Sequence, residues 1–315
     1  MNMECPGCLT KEIKFVDDYK YHIKKDENFL GKMKIYFCKV CDISFAYPAP
    51  KINQITYYYN NIYRAKNRPH SYSNITQEIR DIHFSHINLI SQYIDIKKIK
   101  NVYEIGPGYG QLGELLKLSG VKNIYSEEID KKLQKYLNKN YVSGINKNIN
   151  LVIAIHSLEH FSNFDQFFDL FANSLAPNSH ILIEVPNNEN KLWFKKRPYD
   201  SPHLVFFSKN GLENILIKRN YKILFSNYTG IELDDHFKNM NKSKNFFYNW
   251  PKINRNYKLF NFFKKILKTI LPIFLLDILR KIKNKSKAKS FNFLIDNLIY
   301  GSSNRSNIRI LAKKI

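Results

Sequence analysis

A chain of 315 residues with 50 Lys and Arg against 27 Asp and Glu, a formal net charge of +23, is long enough for one catalytic domain plus smaller additions. The excess sits mostly at one end and leaves the presumed catalytic core neutral: residues 1–100 carry 16 basic and 10 acidic side chains, residues 101–235 carry 15 of each, and residues 236–315 carry 19 and 2. The start, MNMECPGC, lacks the apolar stretch of a secretory signal. The longest apolar run, Ile270 to Leu276, is seven residues with Pro272 inside it, far short of the ~18 of a membrane span, so the expectation is a cytoplasmic chain.

All four cysteines fall in two pairs, Cys5-Pro-Gly-Cys8 and Cys38-Lys-Val-Cys41, separated by 29 residues. A CxxC turn brings two thiolates to one point, and two such turns complete a tetrahedral sulfur site for zinc, with rubredoxin-like iron as the competing ion. Two disulfides are the alternative, disfavoured in an intracellular chain. Four thiolates leave no open position, so the expected role is structural, clipping a zinc ribbon over residues 1–50 whose own core is small. Residues 42–50 then read as a short strand closed by Pro48 and Pro50, Ile52 to Ala65 as an aromatic-rich helix, 66–74 as a loop, and Ile75 to Ile94 as a second helix. Residues 51–100 thus form a helical linker or cap.

Asn101 to Gly113, NVYEIGPGYGQLG, is the most informative stretch. Val102, Tyr103 and Ile105 read as a strand, and Gly106, Gly108 and Gly110 strip side chains from the turn that leaves it. From Gln111 the leucines return at helical spacing, so free N–H groups and a positive helix end converge on a turn of bare backbone. A second strand ends at Glu128, where a carboxylate can accept hydrogen bonds from ribose hydroxyls. Gly108 to Gly113 also spells GxGxxG, a dinucleotide fingerprint, but that register leaves Gly106 and Pro107 between the strand and the fingerprint. The other register, Glu104-x-Gly106-x-Gly108-x-Gly110, starts with an acid inside the strand. It resembles the first motif of class I S-adenosylmethionine (SAM)-dependent methyltransferases, in which the carboxylate can help orient a cationic methionine moiety.

Helices at 111–119 and 129–138, strands at 122–127 and near Tyr141-Val142, and the apolar run Leu151 to Ile155 continue the alternation. A helix over Phe164 to Leu175, a turn at Pro177-Asn178, a strand at 180–185, a helix at 209–219 and a strand over Tyr221 to Asn227 follow. Such alternation indicates a parallel sheet covered on both faces, which Asn307 to Lys313 would close as an edge strand. Tyr257 to Lys289 interleaves aromatic and aliphatic residues with lysines as a basic amphipathic helix. It suits an anionic membrane surface, packing on the core or a second subunit, or RNA.

His156-Ser157-Leu158-Glu159-His160 follows the apolar strand directly, at the sheet edge where open α/β folds place ligands. The bare HxxEH pattern of a metallopeptidase belongs on a helix instead. On one helical turn His156, Glu159 and His160 would share a face, and His203 could join them from the next strand's exit loop. Glu159 or His160 then serves as general base, or the three histidines with Glu159 hold a divalent cation; a purely structural junction is the third reading.

LVIAIHSLEHF, LAPNSHILIEVPN and PHLVFFSKNGLENILIKRNYKI together resemble a large class I methyltransferase group with an LEH…EVPN…HxxxFS pattern, and the resemblance covers most of the chain. The paired cysteines followed by FAYPAPKINQITYYYNNIY resemble zinc-ribbon methyltransferases of sugar and surface-polysaccharide pathways. The resemblance implies a Rossmann-like sheet of order 3-2-1-4-5-7-6 with the seventh strand antiparallel, in a core over 101–235, with a helical insertion at 236–304 and a closing strand at 305–315. It implies SAM held by Glu104, Gly106, Gly108, Gly110, Glu128 and His156. Glu159, His160 and His203 would face a sugar or glycan acceptor. Ubiquinone-pathway and small-RNA terminal O-methyltransferases resemble the same segment with a metal-binding ExxEH; His156 here replaces the first Glu. Asn178 and Ser179 stand where glycines are usual, and the acid often facing adenine is absent between Tyr141 and Asn150. An RNA methyltransferase guided by the basic segment, or a non-catalytic SAM or zinc interaction module, are the rival functions.

Overall fold

The computed structural model describes residues 3–21, 26–63, 77–142, 148–189, 202–232, 300–301 and 303–315. Its first sheet holds β1 (Ile13–Asp18), β2 (Lys34–Cys38) and β3 (Ile43–Tyr47), with the short helix α1 (Glu27–Leu30) between β1 and β2. Helix α2 (Ile52–Tyr58) runs into a wider turn over Tyr59–Tyr63, and α3 (Gln77–Tyr93) precedes the second sheet.

That sheet is built from β4 (Asn101–Ile105), α4 (Gln111–Leu118), β5 (Asn123–Glu127), α5 (Lys131–Leu137), β6 (Ile149–Ile155), a 3-10 turn (Leu158–His160), α6 (Phe164–Asp169) and β7 (Leu175–Pro186). β8 (Val205–Phe207), α7 (Lys209–Ile217), β9 (Tyr221–Glu232) and β10 (Arg305–Lys314) complete the described elements. Helix starts are set by side chains that satisfy orphan amides: Asp130 accepts from Lys132 and Leu133 N–H, Asn163 from Asp165 and Gln166, and Ser208 from Gly211.

The strands run in the order β5-β4-β6-β7-β10-β9, with β4 through β7 parallel and β10 antiparallel to both its neighbours. This is the Rossmann-like methyltransferase arrangement, with the last strand antiparallel. Leu151 to Ala154 are fully buried because helices cover both faces of β6. β10 is no edge strand: it is inserted between β7 and β9, and Ile308, Arg309, Ile310, Leu311 and Ala312 are buried there.

The expected strand near Tyr141-Val142 does not form among the described residues. Val142 donates one backbone bond to Ile124, but the Tyr141 side chain turns inward beneath α4 and draws the chain off the ladder. The helix from Phe164 ends at Asp169, with a separate 3-10 turn over Ala172–Ser174 before β7. The basic segment 257–289 and the loop 66–74 lie outside the described residues.

The first sheet is completed from a distance. β8, part of the stretch read from sequence as a loop, adds to β3 through Ile43↔Phe207, Ser44↔Phe206 and Phe45↔Val205, giving the order β1-β2-β3-β8. Cys5, Cys38, Cys41, Phe164, Phe207 and Leu212 share one hydrophobic cluster with β6 and β7, and the Phe164 and Phe207 rings stack at 5.7 Å. The cysteine region therefore borrows its core from the larger sheet, which a segment of its size needs.

Candidate active site

The carboxyl ends of β4, β5, β6 and β7 meet at one edge, where open α/β sheets bind ligands. Gly106 follows β4 at φ +64°, and a β-carbon there would overlap the hydroxyl of Ser157, which donates to Ile105 C=O at 2.7 Å. Gly110 caps α4 in the left-handed region at φ +73°. One turn on, a β-carbon at Gly113 would overlap the Tyr141 hydroxyl. That hydroxyl lies 2.9 Å from both Glu104 Oε2 and the Gly110 carbonyl. The last glycine of the GxGxxG spelling thus makes room for a tyrosine, so the register beginning at Glu104 accounts for the turn. Glu104 is 4% exposed. Burial pushes its carboxyl up to about 8, the Tyr141 hydrogen bond works against that, and Glu128 adds to it.

Glu128 stands just past β5 and ties the two halves of the turn together. Its Oε2 accepts from Gly108 N–H at 3.0 Å, its Oε1 from Asp130 N–H at 3.0 Å, and its own N–H donates to Gln134 Oε1. Glu104 and Glu128 therefore bracket a stretch of bare backbone, a fit for a cationic amino acid attached to a nucleoside.

Across Ser157 lies a second cluster. His156 ends β6 at φ +52°, so it does not share a helical face with Glu159 and His160; only Leu158–His160 form a turn. Its ring instead bridges two buried carboxylates, with Nδ1 3.4 Å from Glu159 Oε1 and Nε2 3.6 Å from Glu184 Oε1. Partial desolvation opposes charge on the half-exposed His156 ring, but the two carboxylates outweigh it and raise the imidazole above its ordinary value.

Glu159 is 1% exposed, and neither of its oxygens accepts a hydrogen bond from the described residues. His160 Nε2 and His203 Nε2 face its Oε1 at 3.9 and 4.0 Å, and the two rings are 4.9 Å apart. His160 Nδ1 is engaged by Tyr59 Oη at 3.0 Å and by Pro202 C=O at 3.4 Å, which turns Nε2 toward the carboxylate. Burial, then the neighbouring His160, pushes His203 down to about 3, and burial also lowers His160. Burial alone would raise Glu159, but the surrounding imidazoles hold it below the usual carboxylate range. The result is an ionised carboxylate paired with the charged His156, accepting no hydrogen bond from the described residues and facing the imidazoles of His160 and His203.

The family profile of a methyltransferase domain matches residues 66–225, just over half of the chain. The chain belongs to this methyltransferase family. With its sheet order and glycine turn, it is a class I SAM-dependent methyltransferase. No curated protein sequence matches it significantly. Solved structures similar to the methyltransferase include a SAM-dependent methyltransferase from Archaeoglobus fulgidus (17% identity, 76% of this chain and 95% of that one, TM-score 0.42). Coclaurine N-methyltransferase bound to N-methylheliamine and SAH is 12% identical over 78% and 75% of the two chains, TM-score 0.43. YcgJ from Bacillus subtilis is 13% identical over 74% and 98%, TM-score 0.41. Likenesses this remote carry nothing about the methyltransferase's acceptor.

The four cysteines are free thiols whose sulfurs all lie within 4.8 Å of one another. Cys8 Sγ and Cys38 Sγ are 3.7 Å apart. Sulfurs about 2.3 Å from a central zinc form a tetrahedron with edges of about 3.8 Å, so the set fits that ion. Gly7 N–H points at Cys5 Sγ and Cys41 N–H at Cys38 Sγ, each at 3.4 Å, the amide donors a thiolate needs. A β-carbon at Gly7 would come within 2.9 Å of Cys41 Sγ. The cluster can therefore bind zinc, and no helix among the described residues is long and apolar enough to cross a membrane.

Glu104, Gly106, Gly108, Gly110 and Glu128 thus come together at the turn. Glu159, His160 and His203 come together across Ser157, while His156 stands apart between Glu159 and Glu184. Sequence reasoning missed Tyr141, Tyr59 and Glu184. Only Tyr141 left a signal: Gly113, one helical turn past Gly110, marks a place where something presses on α4.

Proposed function

We propose that the methyltransferase acts on a hydroxyl of a small sugar-bearing molecule, a sugar nucleotide or glycan intermediate of surface-polysaccharide synthesis, in the cytoplasm. The resemblance of the LEH segment and of the cysteine-paired front supports the sugar class. The observation that carries a hydroxyl acceptor is Glu159, a buried carboxylate neither of whose oxygens accepts a hydrogen bond from the described residues, set across Ser157 from the glycine turn.

SAM supplies an electrophilic methyl group, and the S–CH3 bonding pair leaves with its sulfur. Glu104 and Glu128 would hold the cofactor's methionine and ribose ends, with the Gly106–Gly110 backbone and His156 along it. Glu159 accepts a hydrogen bond from the acceptor hydroxyl, which becomes more nucleophilic as it closes on the methyl group. As the O–CH3 bond forms, the hydroxyl proton passes to Glu159 or to the neutral His160. Such a base contributes roughly 10²–10⁴-fold, and positioning the two reactants contributes more.

A second reading is favoured by the same buried carboxylate. Glu159, His160 and His203 offer three ligand atoms within 4.8 Å, and Tyr59 and Pro202 orient His160 as outer partners do at a metal. A two-imidazole, one-carboxylate set favours a transition-metal dication over magnesium or calcium, and the ion would acidify the hydroxyl in place of the base.

The test is transfer of labelled methyl from SAM to a panel of nucleotide sugars, lipid-linked glycans and RNA, with the protein dialysed and then resupplied with manganese or zinc. Label on a sugar oxygen is the expected result, and label on RNA alone would overturn the reading. Turnover that needs the added dication, and that in Glu159→Ala is lost or needs far more of it, selects the metal form.

A further inference from the structure

We infer that the four-cysteine centre positions the acceptor side of the active site: the clipped sheet holds β8, and β8 sets where His203 stands against Glu159. This rests on the reading that Glu159 and His203 face the acceptor.

The connection is short and continuous. Cys38 ends β2, and Cys41 lies two residues before β3, whose backbone is paired with β8 over three residue pairs. Ala46 N–H donates to Leu204 C=O at 2.8 Å and extends that ladder by one bond. Leu204 N–H then donates to Glu159 C=O, again at 2.8 Å. His203 is the residue just before Leu204, and the Tyr19 hydroxyl, just past β1, donates to its carbonyl at 2.8 Å. Three strands of the cysteine sheet, the His203 backbone and the Leu158–His160 turn are therefore linked bond by bond.

A second tether reaches the same place from behind. The Ser208 hydroxyl that caps α7 lies 2.7 Å from the carbonyl and 2.6 Å from the carboxylate of Asp42, the neighbour of Cys41. Helix α7 sits so close on this turn that a β-carbon at Gly211 would lie 2.6 Å from the carbonyls of both Cys41 and Asp42. Among the described residues, the larger sheet meets the β8 backbone through one bridge, Asn187 with Phe207, and the Asn188 N–H bond to Phe207 C=O, beside the stacking of Phe207 on Phe164. A three-residue strand whose backbone is paired mainly from one side takes its register from that side.

The glycine turn makes none of these contacts. Gly106, Gly108 and Gly110 are fixed by β5, Ser157, Glu128 and Tyr141. Zinc at the four sulfurs would thus act on one half of the site only, through strand pairing and not through any contact with the acceptor.

The full-length, zinc-loaded protein is compared with the same protein stripped by a chelator under reducing conditions. Amide exchange is followed at Ala46, Leu204, Tyr103 and Val152, together with carbethoxylation of His203 and calorimetric binding of S-adenosylhomocysteine. Stripping is expected to speed exchange at Ala46 and Leu204 roughly 100-fold and to expose His203, while Tyr103 and Val152 stay protected. Affinity for S-adenosylhomocysteine should hold within about threefold. Unchanged protection at Leu204 overturns the proposal, and so does joint loss of protection at Tyr103 with loss of the homocysteine ligand, which would make the centre a staple of the whole fold. Tyr19→Phe tests the same link with all four cysteines in place: faster modification of His203 with S-adenosylhomocysteine affinity unchanged is expected, and an unaltered rate argues against it. If stripping frees Leu204 yet His203→Ala leaves acceptor turnover intact, the coupling stands and the acceptor-side reading fails.

Discussion

The hydroxyl of Tyr141 occupies the space where a side chain at Gly113 would begin, and from there it reaches Glu104 Oε2 at 2.9 Å. One residue thus locks the first turn of α4, the carboxylate of β4 and the Gly110 carbonyl. Gly113→Ala is expected to force the ring out, costing about 1–3 kcal/mol as an overpacked core does. It should also weaken SAM binding, because Glu104 loses its hydroxyl partner. Tyr141→Phe in the same chain removes the overlapping oxygen and should recover part of the lost stability but not the affinity. Thermal unfolding and calorimetry on the two single variants and the double variant measure both, and additive effects would contradict the contact.

The carboxyl of Glu104, raised to about 8 chiefly by burial, gives a pH signature. Its folded value lies above the unfolded one, so between about 4.3 and 8 the folded chain carries a proton that the unfolded chain has lost. The stability this proton brings is complete below that window and is lost as pH rises through it, with a slope of at most ~1.4 kcal/mol per unit. Glu104→Gln should flatten the slope, as read from urea midpoints between pH 5 and 9. A cationic methionine end favours the ionised form, so SAM binding near pH 6.5 should release a proton. Calorimetry in two buffers of different ionisation enthalpy detects that release, and its persistence in Glu104→Gln would place the proton elsewhere.

The elements that fix the cofactor half were legible because they are local. Glu104, the three glycines and Glu128 are strung along one strand–turn–helix–strand unit, and glycine, leucine spacing and acid at a strand end each have a single physical reading. The half proposed for the acceptor is assembled from distant pieces. Tyr59 meets His160 across 101 residues, and Val205 to Phe207 meet β3 across some 160, contacts with no periodic signature. PHLVFF read as a loop because a run of four apolar residues, Leu204 to Phe207, is too short to show alternation. Tyr141 keeps the described Tyr-Val pair off the ladder for a like reason: its buried hydroxyl is held by Glu104 and the Gly110 carbonyl, which outweighs the β-propensity of the pair.

Glu128 holds Gly108 N–H with one oxygen and Asp130 N–H with the other, so its carboxylate is both the shape of the turn and the seat proposed for the ribose. Glu128→Gln removes the charge and keeps at most one of the two accepted bonds, its NH2 facing the other N–H; Glu128→Ala removes the charge and both bonds. A hydrogen bond to a charged group contributes about 1.5–3 kcal/mol, so Glu128→Ala should weaken SAM at least roughly tenfold. Acceptor KM should move much less. Competitive binding of S-adenosylhomocysteine and acceptor saturation curves separate the two, and a larger loss on the acceptor side would contradict the assignment.

Behind His156, the buried carboxylate of Glu184 meets Arg309 of the facing strand β10, with His86 Nε2 and Asn307 Nδ2 each 2.9 Å away. Both members of the pair are out of solvent, at 1% and 0% exposure, so each exists as an ion only because the other does. Removing one leaves an uncompensated charge, and Arg309→Met or Glu184→Met alone should cost about 3–5 kcal/mol. The double variant replaces the pair with apolar volume and should unfold at a higher temperature than either single. Its activity should not recover in step, because Glu184 also faces His156 Nε2 at 3.6 Å and its carbonyl receives the His156 N–H at 2.8 Å. With the backbone bond kept and the carboxylate gone, His156 loses one of the two acids that hold it beside Glu159. A stable double variant with low turnover is therefore the expected outcome of thermal unfolding and methyl-transfer assays run together, and full activity in a stable double variant would confine the pair to the fold.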